Sequence, residues 1–149
     1  MLRLGLCCVF KKHPVKFRKT TAKYLSQLSE EQRKQRLARL CANNADSLLK
    51  ALEFCLDNRI GAFRINSQIL PLKTHPECGY TIDDLPEGDE IVRRFRKCKR
   101  FAKRHKLRTC FHPDQFVVLN SPRPDVVEKS IDELEYQCEV AEWVGSDVV

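Results

Sequence analysis

Five consecutive residues, His112, Pro113, Asp114, Gln115 and Phe116, follow the short apolar run "LRTCF" at 107–111. An imidazole can hold a divalent metal or move a proton near neutral pH, and a carboxylate can accept several hydrogen bonds. A primary amide beside an aromatic ring joins hydrogen-bonding capacity to an apolar stacking face. A packed interior has a use for Phe111, Val117, Val118 and Leu119, but little for so many polar groups ahead of a ring. His112 is therefore read as functional. The competing reading of the ring is that Phe116 packs beneath its own loop with Val117 and Leu119.

Other residues of the same kind lie in two further segments. His75 sits in "LPLKTHPECGY", where spacing alone fits a functional or a structural role equally. Arg64 and Ser67 flank Asn66 and are placed to reach an anion, although an arginine there can equally brace a loop. The segment "KKHPVKFRKTTAKY" carries six Lys or Arg and no acid, with Phe17 and Tyr24 among them. Lys16, Arg18 and Lys19 in it are candidates for phosphate contact, against the commoner outcome of a merely solvated charge run. His13, beside Pro14, is expected to be exposed, and His105 to sit at a helix C-terminus where a cation favours the dipole.

These residues must be positioned by the elements around them. An apolar run at 3–10 reads as a first strand of the kind buried on both faces. Ser29 and Gln32 form a capping box, and Leu37, Leu40, Cys41, Leu48, Leu52, Cys55 and Leu56 recur on one face of a helix that Gly61 is expected to stop. Residues 61–65 read as a second strand, Asp89 to Lys106 as a helix, and 107–111 as a third strand. Pro124 or Asp125 opens a third helix with Val127, Ile131, Leu134, Cys138 and Ala141 on one face, and the terminal "DVV" begins a fourth strand.

Strand and helix in alternation imply a parallel β/α architecture. The segments after the strands, at 11–28, 66–88 and 112–123, are long, and the returns from helix to strand are short. That asymmetry fits a TIM-type barrel with its chemistry on the long-loop face. A whole barrel takes about 250 residues, so the 149 present are expected to be either the N-terminal portion of one such domain, truncated after about three and a half units, or an unusual half-barrel.

Composition excludes several classes. With 42% hydrophobic and 32% charged residues the chain is globular and not disordered. It has no apolar run long enough for a membrane span and no recognisable signal peptide, so a soluble, intracellular, cytoplasmic protein is expected. None of the eight cysteines has C-x-x-C spacing, so reduced thiols are the default. Cys41, Cys55, Cys98 and Cys138 fall on helix stripes, and Cys110 falls in a strand. Cys7 and Cys8 are adjacent and would point to opposite faces, and Cys78 lies in a loop with its role open. No glycine-rich phosphate motif and no H-E-x-x-H is present.

The net charge of +7 invites a nucleic-acid partner, and ten basic residues lie between Arg93 and Arg108. They ring a helix whose apolar positions are Ile91, Phe95, Cys98 and Ala102, so most read as a solvated face and the run is discounted as a DNA footprint. The acids of the next helix, Glu128, Asp132, Glu133, Glu135, Glu139 and Glu142, are expected to pair with them at the seam.

Taken together, "FRINSQILPLKTHP" and "FHPDQFVVLNSPRPDVVEKSIDELEY", with "RLGLCC" as opening strand, resemble the UV damage endonuclease family in register along essentially the whole chain. The resemblance implies a TIM-barrel DNA repair endonuclease, monomeric when complete, that nicks damaged double-stranded DNA on the 5′ side of pyrimidine dimers. It implies a cluster of divalent metals, commonly manganese, with magnesium or zinc as alternatives. It further implies that His112 is a metal ligand, that His75 is a second histidine of the metal and phosphate site, and that both serve catalysis. Gln115 and Phe116 match the Gln-aromatic pair that probes the duplex. Leu6 and Phe10 stand where family members carry a tyrosine and a polar residue, and Phe116 replaces a tyrosine, which leaves the lesion spectrum open. The family's Glu, Asp and remaining His ligands would lie beyond residue 149. Two other readings share some of these features: a sugar-isomerase-like metal-dependent barrel, and a non-enzymatic DNA-binding remnant.

Overall fold

The computed structural model describes residues 3–7, 9–146 and 148–149. Its elements, in order, are β1 (Gly5–Leu6), α1 (Ala22–Leu25), α2 (Glu30–Asp57), β2 (Ala62–Ile65), α3 (Gly88–Arg104), β3 (Arg108–Phe111) and α4 (Pro124–Val144). The sheet has the order β1-β2-β3 with all strands parallel. Leu6 pairs with Phe63, and Phe63 with Thr109. A parallel bridge joins Cys110 to Val148, where the fourth strand was expected.

Local chemistry sets the helix ends. The Ser29 hydroxyl accepts from the Gln32 N–H at 3.2 Å, and the Ser29 N–H donates to the Gln32 side chain at 3.1 Å, so two orphan donors of α2 are satisfied. α2 stops at Asp57, not at Gly61. Arg59 takes a positive φ of 55°, and the Asn58 side chain donates to the Phe54 carbonyl. α4 ends at Gly145, whose φ of 66° suits a residue without Cβ. The four-residue α1 lies within the segment expected to be loop, with Thr21 as its cap.

The core joins Phe63 and Ile65 of β2 to Leu48, Leu52 and Cys55 of α2, Ile91, Phe95 and Cys98 of α3, and Val140 and Val144 of α4. The Phe95 and Trp143 rings lie 6.0 Å apart and lock α3 to α4. Each large side chain so buried contributes about 1.5–3 kcal/mol.

Several sequence-based expectations need correction. Burial of the first strand on both faces does not hold: Gly5 is exposed and Leu6 half-buried, and in β2 and β3 Phe63, Ile65, Thr109 and Phe111 are buried toward the helices whereas Arg64 and Cys110 between them stay half-exposed on the other face. α4 is rotated from its expected face. Ser130, Tyr136, Gln137, Val140, Ala141 and Val144 are inside, while Ile131 and Cys138 are exposed. Tyr136 causes this, because its hydroxyl is held by the segment after β2. Val127 and Ile131 instead line a shallow surface groove with Pro122. Leu56 is also exposed. Of the adjacent cysteines, Cys7 is exposed and Cys8 lies outside the described residues. Burial raises the thiols of Cys41 and Cys55 to about 11 and that of Cys98 to about 12, so all three are neutral hydrophobes.

The expected ion-pair seam between α3 and α4 is likewise not seen among the described residues. Lys99 reaches only the Glu142 backbone carbonyl, at 3.2 Å. The α4 acids turn elsewhere, Glu139 to Lys73 at 3.5 Å and Glu133 to the Thr74 hydroxyl at 2.8 Å.

Candidate functional site

β2 and β3 are parallel neighbours, so the segments that follow them, 66–87 and 112–123, leave the sheet at the same end. They enclose a cavity of about 580 Å³ with α4 as one wall. Lys19 from the first segment, His75 from the second, Asp114 and Phe116 from the third, and Lys129 and Tyr136 from α4 all line it. Three of these, His75, Lys19 and Phe116, are candidates from the sequence. Asp114 stood in the opening motif without an assigned role.

Buried polar side chains hold the walls. Asn44 of α2, with no exposed surface, donates to the carbonyls of Arg18 at 3.0 Å and Ile69 at 2.7 Å and accepts the Arg18 N–H at 2.6 Å. One amide thus ties the first and second segments to one helix. Ser47 adds a bond to the Lys16 carbonyl. The Tyr136 hydroxyl donates to the Ser67 carbonyl at 2.9 Å and accepts the Leu70 N–H at 3.1 Å. Burial pushes its ionisation far above the usual phenol range, so it works only as a neutral hydroxyl. Ser130 accepts the Val118 N–H at 2.9 Å and fastens the third segment to α4. Sequence reasoning missed Asn44, Ser130 and Tyr136, since a polar residue inside a helix carries no sign of a distant carbonyl.

The aromatic candidate is presented outward. The Asp114 carboxylate accepts the Phe116 N–H at 3.2 Å, closing an Asx turn that projects the ring. Phe116 is 76% exposed and Leu119 55%, so packing beneath the loop does not describe them. Gln115 is exposed beside it. The backbones of Lys16 and Arg18 are pinned to α2 while their side chains face solvent, and Arg64 lies on the open face of the sheet. Ser67 contributes its carbonyl to Tyr136.

The two histidines are chemically distinct. His112, exposed immediately after β3, has Nδ1 2.8 Å from the Pro113 carbonyl oxygen. A carbonyl only accepts, so Nδ1 carries the proton and Nε2 keeps its lone pair, the arrangement of a metal-binding imidazole. His75 is the reverse. Its Nδ1 accepts the Glu77 N–H at 3.1 Å and lies 3.3 Å from the Cys78 sulfur, which puts the proton of the neutral ring on Nε2. In that state His75 is a hydrogen-bond donor. The donor set therefore fits a metal at His112, and fits a phosphate oxygen at His75. Among the described residues no group of three or more His, Cys, Asp or Glu is gathered closely enough to hold a metal. Long-range ¹H–¹⁵N spectra of the neutral rings are expected to place the proton on Nδ1 of His112 and Nε2 of His75. An Nδ1 proton on His75 would reverse its assignment.

The architecture has counterparts. A family model described as UV-endonuclease UvdE matches residues 2–147. The chain belongs to the UvdE family. Curated relatives named UV DNA damage endonuclease include that of Bacillus pumilus (strain SAFR-032), 33% identical over 123 residues that make up 83% of this chain and 37% of the relative. That of Clostridium perfringens (strain 13 / Type A) is 34% identical over 114 residues, 76% of this chain and 26% of the relative. The structure titled "Crystal Structure of SacUVDE" superposes with a TM-score of 0.82 at 32% identity, covering 99% of this chain and 47% of that one. The chain thus spans about a quarter to a half of the UvdE proteins it matches. No described helix is long and apolar enough to cross a membrane.

Proposed function

We propose that this chain forms the N-terminal portion of a TIM-barrel, metal-dependent DNA repair endonuclease that nicks 5′ to UV photoproducts and related lesions. The observation that carries the reading is the convergence of Lys19, His75, Asp114 and Phe116 on one cavity at the strand ends, in a chain of the UvdE family. In a parallel β/α fold that end is where ligands bind.

The assignments follow from the side chains. His112 would hold a divalent metal, manganese in the first instance, through Nε2; such an ion supplies an activated hydroxide and charge stabilisation at phosphorus. His75 donates from Nε2 to a phosphate oxygen and enters the metal's ligand shell only if its ring turns over and releases the Glu77 N–H. Lys16, Arg18 and Lys19 meet the phosphate backbone, with Arg64 and Ser67 nearer the sheet. Gln115 and Phe116 enter the duplex at the lesion. The protein works on DNA in the cytoplasm or nucleoid.

A single fitting metal ligand among the described residues is too few for a multi-metal site, so the chain by itself binds and does not cut. The test uses the purified chain, a 30-base-pair duplex with one thymine dimer and its undamaged twin. Binding about tenfold tighter to the damaged duplex is expected, with no nicking of irradiated supercoiled plasmid in manganese. Equal affinity for the two duplexes overturns the repair reading and favours a non-enzymatic DNA-binding remnant. Metal-dependent nicking overturns the incompleteness.

A further inference from the structure

The charge on the molecule's outer side has no part in the cavity described above. From Ile91 to Pro113 the chain contains no acid and ten Lys or Arg. Eight of the ten lie on α3, which carries only Asp89 and Glu90 against them, in its first turn. Turning about 100° per residue, α3 places Lys97, Arg100 and Arg104 within about 60° of arc. Its buried residues Ile91, Phe95, Cys98 and Ala102 fall on the opposite side. The three cations point straight out and all are exposed.

They also lack partners. Arg93 and Arg94 are engaged by Glu90 and Asp46, and Lys99 by a carbonyl of α4. Among the described residues no acid, carbonyl or ring takes Lys97, Arg100 or Arg104, and the seven acids of α4 do not cross the seam to them. A solvated face of a globular helix ordinarily mixes signs, and α2 does so with five cations and five acids. A row of one sign costs self-repulsion that a polyanion relieves.

We propose that the outward stripe of Lys97, Arg100 and Arg104 on α3 is a second nucleic-acid surface that grips the phosphate backbone of duplex DNA without reading its sequence or its damage. At about 1.5 Å per residue, Lys97 to Arg104 covers about 10 Å, the axial length of roughly three phosphates on one strand. The ring nearest these positions along α3, Phe101, is half-buried and packed 4.5 Å from the His105 ring, so the contact supplies retention and not recognition. Arg93 and Arg96 extend the row toward a groove they share with Asp83, Asp89 and Glu139. Those acids weaken that end, and the grip centres on the last two turns.

The test measures anisotropy of labelled undamaged duplex with the full chain from 50 to 200 mM KCl, alongside the triple variant Lys97→Gln, Arg100→Gln, Arg104→Gln. The variant is expected to fold, since these exposed side chains make no hydrogen bond or ion pair among the described residues, and to bind at least tenfold more weakly at 50 mM KCl. Its log–log salt slope is expected to fall by about 2 to 3, one phosphate for each lost charge. Arg100→Lys with Arg104→Lys keeps the charge and is expected to bind as the parent does; this variant and single Lys97→Gln keep the test decisive if the triple variant melts early. An unchanged slope and affinity in the glutamine variants overturns the proposal, as does a parent chain that fails to bind undamaged duplex. A loss confined to vesicles of phosphatidylserine, with DNA binding intact, also overturns it and assigns the stripe to a membrane surface. Preference for the thymine-dimer duplex, measured as a ratio, is expected to be equal in parent and variant. A ratio of one in both sinks the damage reading while leaving the stripe standing.

Discussion

Phe116→Ala is expected to abolish most discrimination between a thymine-dimer duplex and its undamaged twin while leaving the melting temperature within about 1 °C. The ring is 76% exposed at the rim of the cavity, so truncation removes almost no packing. Its only fixed local bond runs from its backbone N–H to Asp114, and alanine retains that. Stacking of a base on an aromatic ring is worth about 1–3 kcal/mol, which corresponds to a loss of roughly five- to 150-fold in affinity for a duplex whose bases are already poorly stacked. Phe116→Tyr and Phe116→Trp keep a stacking face and are expected to retain the preference. A fall in melting temperature of several degrees with the preference intact would return Phe116 to a packing role.

The second large effect is on the scaffold. Asn44→Asp is expected to destabilise the chain by about 3 kcal/mol or more, because it replaces two donated hydrogen bonds by a buried carboxylate facing the Arg18 and Ile69 carbonyls. Such a loss lowers the melting temperature by on the order of 10 °C for a domain of this size. Duplex binding is expected to weaken too, since the segments bearing Arg18 and Lys19 and the start of the His75 segment are both tied to that one amide. Asn44→Asp with unaltered melting would mean that the clamp is dispensable, and a normal melt with lost binding would make Asn44 a contact residue instead. Thermal melts followed by circular dichroism, with anisotropy on the same samples, separate these cases.

Where the governing interactions are local, the sequence and the structure agree. The Ser29 and Gln32 box opens α2, the stripe Ile91, Phe95, Cys98 and Ala102 faces inward, and the apolar runs at 62–65 and 108–111 pair in parallel. The disagreements come from contacts made at a distance. Tyr136 turns α4 because its hydroxyl finds Ser67 and Leu70, which no helical periodicity encodes. The acids Glu133 and Glu139, opposite in sign to α3, go to Thr74 and Lys73 instead. The site shows the same division. Residue type and order marked out His112, Gln115 and Phe116 as candidates, but the proton positions that separate His112 from His75 depend on the Pro113 carbonyl and the Glu77 N–H. Helical spacing puts Asn44, one turn from Cys41 and Leu48, on the buried stripe and Asn43 off it, but nothing in "CANNAD" reveals which carbonyls its amide will meet.

The order β1-β2-β3 with Val148 bridged to Cys110 means that every strand lies beside the one made just before it. Pairing therefore proceeds by accretion. The first closure spans α1 and α2 and each later one a single helix with its loops, so the chain-entropy cost is met in modest steps instead of one long-range search. A ribosome releasing this sequence from its N-terminus would always have the receiving edge finished before the next strand emerged.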